Sequence, residues 1–571
     1  MKVKFVLPFV LPMWRCLVSL VLICLCSVSI AKPTVIDQVK GYTLAAKSNA
    51  QNVDNLDYQW QKFSSIAFEN GKVLAISEQS LVGQYKDATV IDGKGKVMLP
   101  GLIDAHGHIL NLGKSRMQID VRGLTSAQET AKAVSDYAKK NKQLNWILGR
   151  GWNHELWSDK QYPTAQDLDE YVTDKPVWLT RVDGHSGWAN RKALELAGIN
   201  KSTVDPDGGL IVRDKQGEPT GVLVDNAMYL LTKKLPKQTQ AEKQLALDVA
   251  QKHLLSLGIT SVHDAGISHD DYHLYIDNMK KNQIDMRIYA MLAAGDSHIK
   301  EMLSRGYIED EQGMLSIRSV KLSVDGALGS RGAAMLEPYS DKPEQSGLML
   351  WSDSQLEQIY HMVLKEKFQL NVHAIGDKGN KIVLDNFANA FKKVGGQTLR
   401  NRIEHAQVVA VEDIKRFTEL NIIPSMQPTH ATSDMNMAED RVGKQRLAGA
   451  YAWQTFLKQG SRIAAGSDFP VELANPFFGL HAAVTRQSRE KQPIGGWRAN
   501  EAMNIGQALR AFTIDAAYAA HQEKIVGSLE VGKWADFILL DSDVFELDKS
   551  DLWKVKVMQT WVGGQIKYSH D

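Results

Sequence analysis

The stretch "GLIDAHGHIL", Gly101–Leu110, follows Pro100 and closes an apolar run with two histidines one residue apart. Successive side chains of a β-strand point to opposite faces, so residues two apart share one. His106 and His108 therefore aim the same way from the end of a buried strand. A single buried histidine is usually hydrogen-bonded, whereas two that face a common point suit a cation, and imidazole suits zinc among other metals. From the pair alone, a metal site and two hydrogen-bonded core histidines are equally good readings.

Segments of the same kind recur along the chain. Each is short, apolar and β-branched, ends in polar residues and precedes a helix-like stretch: "GITSVHDAG" (258–266), "MRIYAMLA" (286–293), "SVKLSVDGAL" (319–328), "QLNVHAIGD" (369–377), "RNRIEHAQ" (400–407), "NIIPSMQP" (421–428) and "RIAAGSDFP" (462–470). With the first this makes eight, and eight parallel βα units close a TIM barrel. The interval after His108 is far too long for one crossover helix. It holds "GRGWNHELW", "PVWLTRVDGHSGWAN" and the hairpin-like "DPDGGLIVRDKQGEPTGVLVD", and reads as a lobe inserted over 113–245. Strand-and-turn sequences lie on both flanks: "SIAFENGKVLAISE" and "ATVIDGKGKVMLP" before the barrel, "GSLEVGKWADFILLD" and "KVMQTWVGGQIKYS" after it. The expected architecture is α/β: a (β/α)8 barrel over 101–505, and a small β-sandwich built from 32–100 together with 506–571, which also carries a C-terminal helix.

Chemistry in such a barrel sits where the strands end. There the sequence places His106 and His108 on the first strand, Lys321 on the fourth, His373 on the fifth, His405 on the sixth and Asp468 on the eighth. Each alone has a bland reading as a hydrogen-bonded, salt-bridged or capping residue; six on one rim point to a metal centre. Glu404, next to His405, is expected to face the other side of its strand and to be structural. In the loops above, Arg331 after "GALGSRG" is a candidate for a substrate carboxylate, and His430 in "QPTHATSD" for a developing oxyanion. Asp183, His185 and Trp152, with Trp157, are candidates for closing the pocket from the lobe, although the two aromatics also suit the lobe's own core.

This set of residues, with "KLSVDGALGSR", "QPTHATSD", "GSDFPVE" and the sandwich-closing "GSLEVGKWADFILLD", resembles the amidohydrolase superfamily, in its family 3 branch that includes N-substituted formamide deformylases. The resemblance implies a divalent metal, zinc first, one or two per chain. His106, His108 and Asp468 would hold the first metal, His373 and His405 the second, and Lys321 would bridge them as its carbamate; an uncarboxylated Lys321 would leave one metal. Two metals roughly 3.5–4 Å apart share a hydroxide that attacks at neutral pH, and Asp468 would pass its proton to the leaving nitrogen. The implied activity is hydrolysis of a non-peptide amide or formamide-like C–N bond. The alternatives are ester, lactone or dipeptide hydrolysis on the same centre, or an exported barrel that only binds metal or a small ligand.

The remaining composition narrows the field. The chain has 571 residues, 44% hydrophobic and 23% charged, enough for a large core. Lys2, Lys4 and Arg15 precede an apolar run from Leu17 to Ile30 that ends Ser29-Ile30-Ala31, the layout of a cleavable signal peptide over 1–31. Export, most simply to a periplasm, is expected. All three cysteines (Cys16, Cys24 and Cys26) lie in that leader, so disulfides and thiolate catalysis are excluded from the mature chain. Without the leader, 64 basic residues face 66 acidic ones, about −2 in net charge, which offers no nucleic-acid partner and no stable membrane anchor. The expected partner is a small-molecule substrate, and a homodimer is compatible with the sequence. Exported protein should begin near Lys32 and stay soluble without reductant; mass spectrometry checks this, and an intact leader overturns it.

Overall fold

The computed structural model, which describes residues 32–46, 58–142, 144–236 and 238–570, pairs eight strands in chain order into one sheet: β1 (Leu102–Gly107), β2 (Ile259–Ile267), β3 (Arg287–Ala293), β4 (Leu315–Ser323), β5 (Gln369–Ala374), β6 (Arg402–His405), β7 (Ile423–Met426) and β8 (Ala464–Ala465). The expected leader lies outside the described residues. All seven pairings are parallel, and a short strand, Ile308–Glu309, lies antiparallel on β4. The strands are apolar almost throughout because both faces are covered. Val262, Ile288, Val320, Leu370 and Ile403 share one core with Leu356 and Val363 of helix Asp353–Lys365 and with Leu384 and Phe387 of helix Asp377–Val394.

The circle closes through very little ladder. β8 contributes two residues, paired to Ser425 and Met426 of β7. Between β8 and β1 stands a single parallel bridge, Gly107 to Phe469. The Asp468 N–H donates to the His106 carbonyl (2.7 Å), and the His108 N–H to the Phe469 carbonyl (2.9 Å). The buried Asp104 carboxylate completes the seam by accepting from the Ser467 hydroxyl (2.6 Å), the Ser467 N–H (3.1 Å) and the His106 N–H (3.1 Å). Gly466 is required here, since a Cβ would stand 2.5 Å from the His106 nitrogen.

Both flanks build the sandwich. One sheet is ordered (Lys72–Ser77)-(Ser65–Glu69)-(Thr34–Asp37)-(Thr89–Asp92), and the other (Gln565–Ser569)-(Val557–Val562)-(Phe537–Leu540)-(Val97–Pro100)-(Lys40–Ala46)-(Tyr58–Phe63). The two ends of the chain meet where Phe537–Leu540 pairs antiparallel with Val97–Pro100. Phe68, Met98, Phe537 and Trp561 fill the space between the sheets. The segment after β1 carries a separate six-stranded sheet, spanning Ile119 to Asp225, around a core of Trp152, Trp157 and Trp188. Helices Ile109–Arg116 and Gln240–Ser256 flank it in the sequence and pack on each other; Gly113 permits the contact, since a Cβ there would fall 1.8 Å from the Ala246 carbonyl oxygen. Among the described residues, no helix is long and apolar enough to cross a membrane.

A buried ion pair ties barrel to sandwich. Arg287 at the start of β3 holds Asp536 in both arms, Nε to Oδ2 at 2.6 Å and Nη2 to Oδ1 at 3.0 Å, and both side chains are buried. Removing one partner strands a charge in the interior, which typically costs about 3–5 kcal/mol. Arg287→Ala is therefore expected to lower stability by roughly that amount in denaturant unfolding; a change under about 1 kcal/mol, the ordinary effect of an exposed pair, would deny the pair this role.

Candidate metal centre and its cavity

The C-terminal ends of β1, β4, β5, β6 and β8 bring six side chains to one point. The buried His106, His405 and Asp468 each offer one ligand atom, all within 4.8 Å of one another. Lys321 Nζ lies 3.2 Å from His106 Nε2. His108 Nε2 lies 3.2 Å from Asp468 Oδ1, and the His373 ring stands 4.5 Å from that of His405. Two of these residues depend on left-handed backbone. His405 has φ +77° and Asp468 φ +60°, each at a cost of about 1–2 kcal/mol for an L-residue. Such strain clusters at functional sites, where the surrounding structure over-determines it.

That backbone corrects the side of the strand expected for Glu404, while its role stays structural. Arg402 and Glu404 both face the barrel interior, as strand alternation requires of each other, but the chain turns at His405 instead of continuing the alternation. Glu404 is fully buried, and its Oε2 accepts from His106 Nδ1 at 2.6 Å. It is a positioning residue: it fixes the tautomer that leaves the His106 Nε2 lone pair facing the centre. Gln427, directly after β7, does the same for His405, whose Nδ1 donates to Gln427 Oε1 at 2.8 Å. His373 Nε2 lies 3.4 Å from the buried Asp325.

Burial, reinforced by Lys321, lowers the His106 pKa to about 4. Burial, with His373 and His106 adding to it, holds His405 well below the usual imidazole range. Both rings are thus neutral at physiological pH and able to ligate a cation. Burial also lowers the Lys321 pKa, against Glu404 and Asp468. For Asp468 burial opposes ionisation, yet the His108, His106 and His405 rings around it hold its carboxyl well below the usual range. Asp468 Oδ1 is buried without a hydrogen-bond partner. An orphaned polar atom of this kind is expensive, and beside neutral imidazoles with free lone pairs it fits a cation.

Above the centre opens a cavity of about 1560 Å³, walled by the barrel loops and the inserted lobe. His430 lines it on the helix after β7; its Nδ1 accepts from Gln407 Nε2 at 2.9 Å, so its Nε2–H points inward, 3.8 Å from Asp468 Oδ2. From the lobe, Asp183 and His185 reach the wall. His185 Nδ1 meets Asp225 at 2.7 Å, and Asp183 is taken by Arg181 at 2.5 Å. Two expected contacts are absent from the wall. Arg331 grips Asp341 with Nε and Nη2 at 3.2 and 2.9 Å, so an internal carboxylate occupies it. Trp152 is only 1% exposed and donates to the Leu179 carbonyl inside the lobe core, where Trp157 also lies. Missed from sequence were Glu404, Gln407 and Gln427, all at strand ends where a polar residue is a usable signal, and Arg150, which the cavity wall exposes.

Comparison with known proteins gives the family. A family model described as "Amidohydrolase family" matches residues 89–568. The protein LONG AFTER FAR-RED 3 of Arabidopsis thaliana is 35% identical, over 88% of this chain and 88% of its own. An N-substituted formamide deformylase of Arthrobacter pascens is 25% identical, over 90% and 97%. The crystal structure of an uncharacterized metal-dependent hydrolase from Pyrococcus horikoshii superposes with a TM-score of 0.72 at 26% identity, over 91% of this chain and 99% of that one.

Loss of the carboxylate that orients a ligating histidine typically weakens metal binding about 10–100-fold. Glu404→Gln should do so here, read by competition with a chromophoric chelator; unchanged affinity would reduce Glu404 to a packing residue.

Proposed function

Because the chain belongs to the amidohydrolase family, we propose that it is a metal-dependent hydrolase that cleaves the C–N bond of a non-peptide amide or formamide-like substrate. The observation that carries this reading is the buried His106, His405 and Asp468 cluster, with Lys321 beside it, at the strand ends beneath a walled cavity. His106, His108 and Asp468 would hold one divalent metal, zinc by the chemistry of the donors, and His373, His405 and a carboxylated Lys321 a second. Bound there, the metal supplies Lewis acidity at the substrate carbonyl and acidifies the attacking water.

The chain's own groups supply the rest. Asp468, held ionised, takes the proton released by water and delivers it to the leaving nitrogen; an amine cannot leave without it. His430 directs its Nε2–H into the cavity, where a carbonyl oxygen gains charge on attack. The lobe wall at Asp183 and His185 covers the substrate and keeps bulk water out. The Arthrobacter relative is named for deformylation of N-substituted formamides, which supports the amide class here. The leader layout supports export, most simply to a periplasm.

The test is turnover by metal-replete protein on paired N-formyl and N-acyl amides and on matching activated esters. Asp468→Asn is expected to lose about 10²–10⁴-fold in kcat on amides, and less on esters whose leaving groups need no proton. Equal losses would confine Asp468 to holding metal. No amide turnover by the metal-replete wild type, with esters hydrolysed, would overturn the C–N assignment.

A further inference from the structure

Three cations on the cavity wall are already paired with carboxylates: Arg181 with Asp183, Arg122 with Asp120, and Lys243 with Asp271. Arg150 differs. It stands in "GRGW", on the lobe strand Ile147–Trp152. Two backbone carbonyls fix its guanidinium: Nε donates to Pro470 at 3.2 Å, and Nη2 to Val182 at 2.7 Å. Among the described residues it forms no ion pair. Pro470 lies two residues beyond Asp468, so this contact ties the lobe's cation to the loop that carries the metal cluster's carboxylate. Neutral acceptors orient the group without cancelling its charge. Of its five N–H bonds, two are used in these contacts; both hydrogens of Nη1 and one of Nη2 remain. One hydrogen on each Nη is enough to meet the two oxygens of a carboxylate end-on.

Arg150 lines the cavity, and Gly184 beside it presents no side chain to the fork: a Cβ built there would stand 3.8 Å from Nη1 and 3.8 Å from Nη2. Lys114, on helix Ile109–Arg116, lines the same cavity and also forms no ion pair among the described residues. Burial lowers the Arg150 pKa to about 10, with Asp468 and Asp183 opposing, so the group is charged at neutral pH. Burial raises the pKa of both Asp434 and Glu472 elsewhere on the wall, so that side resists a further negative charge.

We propose that Arg150 is the anchor for a carboxylate on the substrate, so that the amides this enzyme hydrolyses are anionic, of the N-acyl amino acid class. The inference rests on the hydrolase reading above. It places the carboxylate on the lobe, the role that Arg331 cannot fill, and lets the bound substrate itself neutralise a buried cation. It also joins recognition to closure, since one guanidinium would hold the substrate, the lobe at Val182 and the barrel loop at Pro470.

N-formyl-leucine and N-formyl-leucinamide have one shape and differ in charge. The wild type should prefer the carboxylate in kcat/KM, mainly through KM, and Arg150→Gln should shrink that preference about 10–100-fold. Arg150→Lys, which keeps the charge but loses the fork, should restore part of it. A purely structural Arg150 would instead lower both substrates equally and leave their ratio unmoved, which overturns the proposal. A second arm needs no turnover: calorimetric affinities of 4-methylpentanoate and the uncharged 5-methylhexan-2-one, for metal-loaded and metal-free protein. The wild type should favour the carboxylate in both forms, and Arg150→Gln should lose that preference in both. A preference that survives in Arg150→Gln, or that exists only with metal bound, would put the carboxylate on the metal and overturn the assignment. If neither formyl compound is hydrolysed while the binding arm behaves as expected, the amide reading fails and the anion site stands.

Discussion

The seam between the first and last barrel strands is the constraint on which the centre depends. A two-residue eighth strand cannot hold a barrel shut by ladder bonds alone, and the Asp104 carboxylate makes up the deficit by gripping Ser467 and the His106 backbone. The same few atoms place the ligands. The peptide that donates to the His106 carbonyl is that of Asp468, so the closing hydrogen bond and the approach of the two side chains are one geometric fact. Any displacement of β8 along β1 would separate a histidine from its carboxylate before it disturbed much apolar packing.

Around that seam, buried polar groups are satisfied in pairs that also set chemistry. Glu404 and Gln427 hold the outer nitrogens of His106 and His405, and Gln407 holds His430 from behind. Each bond removes rotational freedom from a ring and decides which nitrogen faces inward. The left-handed turns at His405 and Asp468 are the local cost of bringing five strands to one point. They persist because the close-packed strands on either side over-determine them.

Much of this was legible in the chain. The eight β-branched segments with polar ends correspond to β1–β8, because a parallel strand buried on both faces must be apolar until it reaches the rim. The six ligand candidates came from the same rule, and so did the closing of the sandwich by both flanks. Legibility failed where a side chain's direction depends on something other than alternation. Glu404 was placed opposite His405 because His405 was taken to be on the regular strand, and the positive φ that turns His405 to the same side is a property of the loop's tertiary context. Arg331 and Trp152 were drawn to the site by residue type, yet a partner more than a few residues away, Asp341 for one and the Trp188-containing core for the other, decides where each points. Arg150 gave the opposite error: an arginine in a Gly-rich strand looked unremarkable, because its lack of a carboxylate partner is visible only in three dimensions.

The sandwich has a consequence for how the molecule is made. Its second sheet joins three strands from the C-terminal end of the chain to three from the N-terminal end, and the Tyr42 hydroxyl bonds Asp543 across 501 positions of sequence. Contacts of such separation repay the entropy of closing their loop only when everything between them is already compact. During synthesis the N-terminal strands must therefore wait, with Val97–Pro100 lacking its neighbour Phe537–Leu540, until the last strands emerge. An open strand edge is a template for pairing with another chain, so the interval between the two events is the stage at which nascent copies of this protein are most exposed to mispairing with one another.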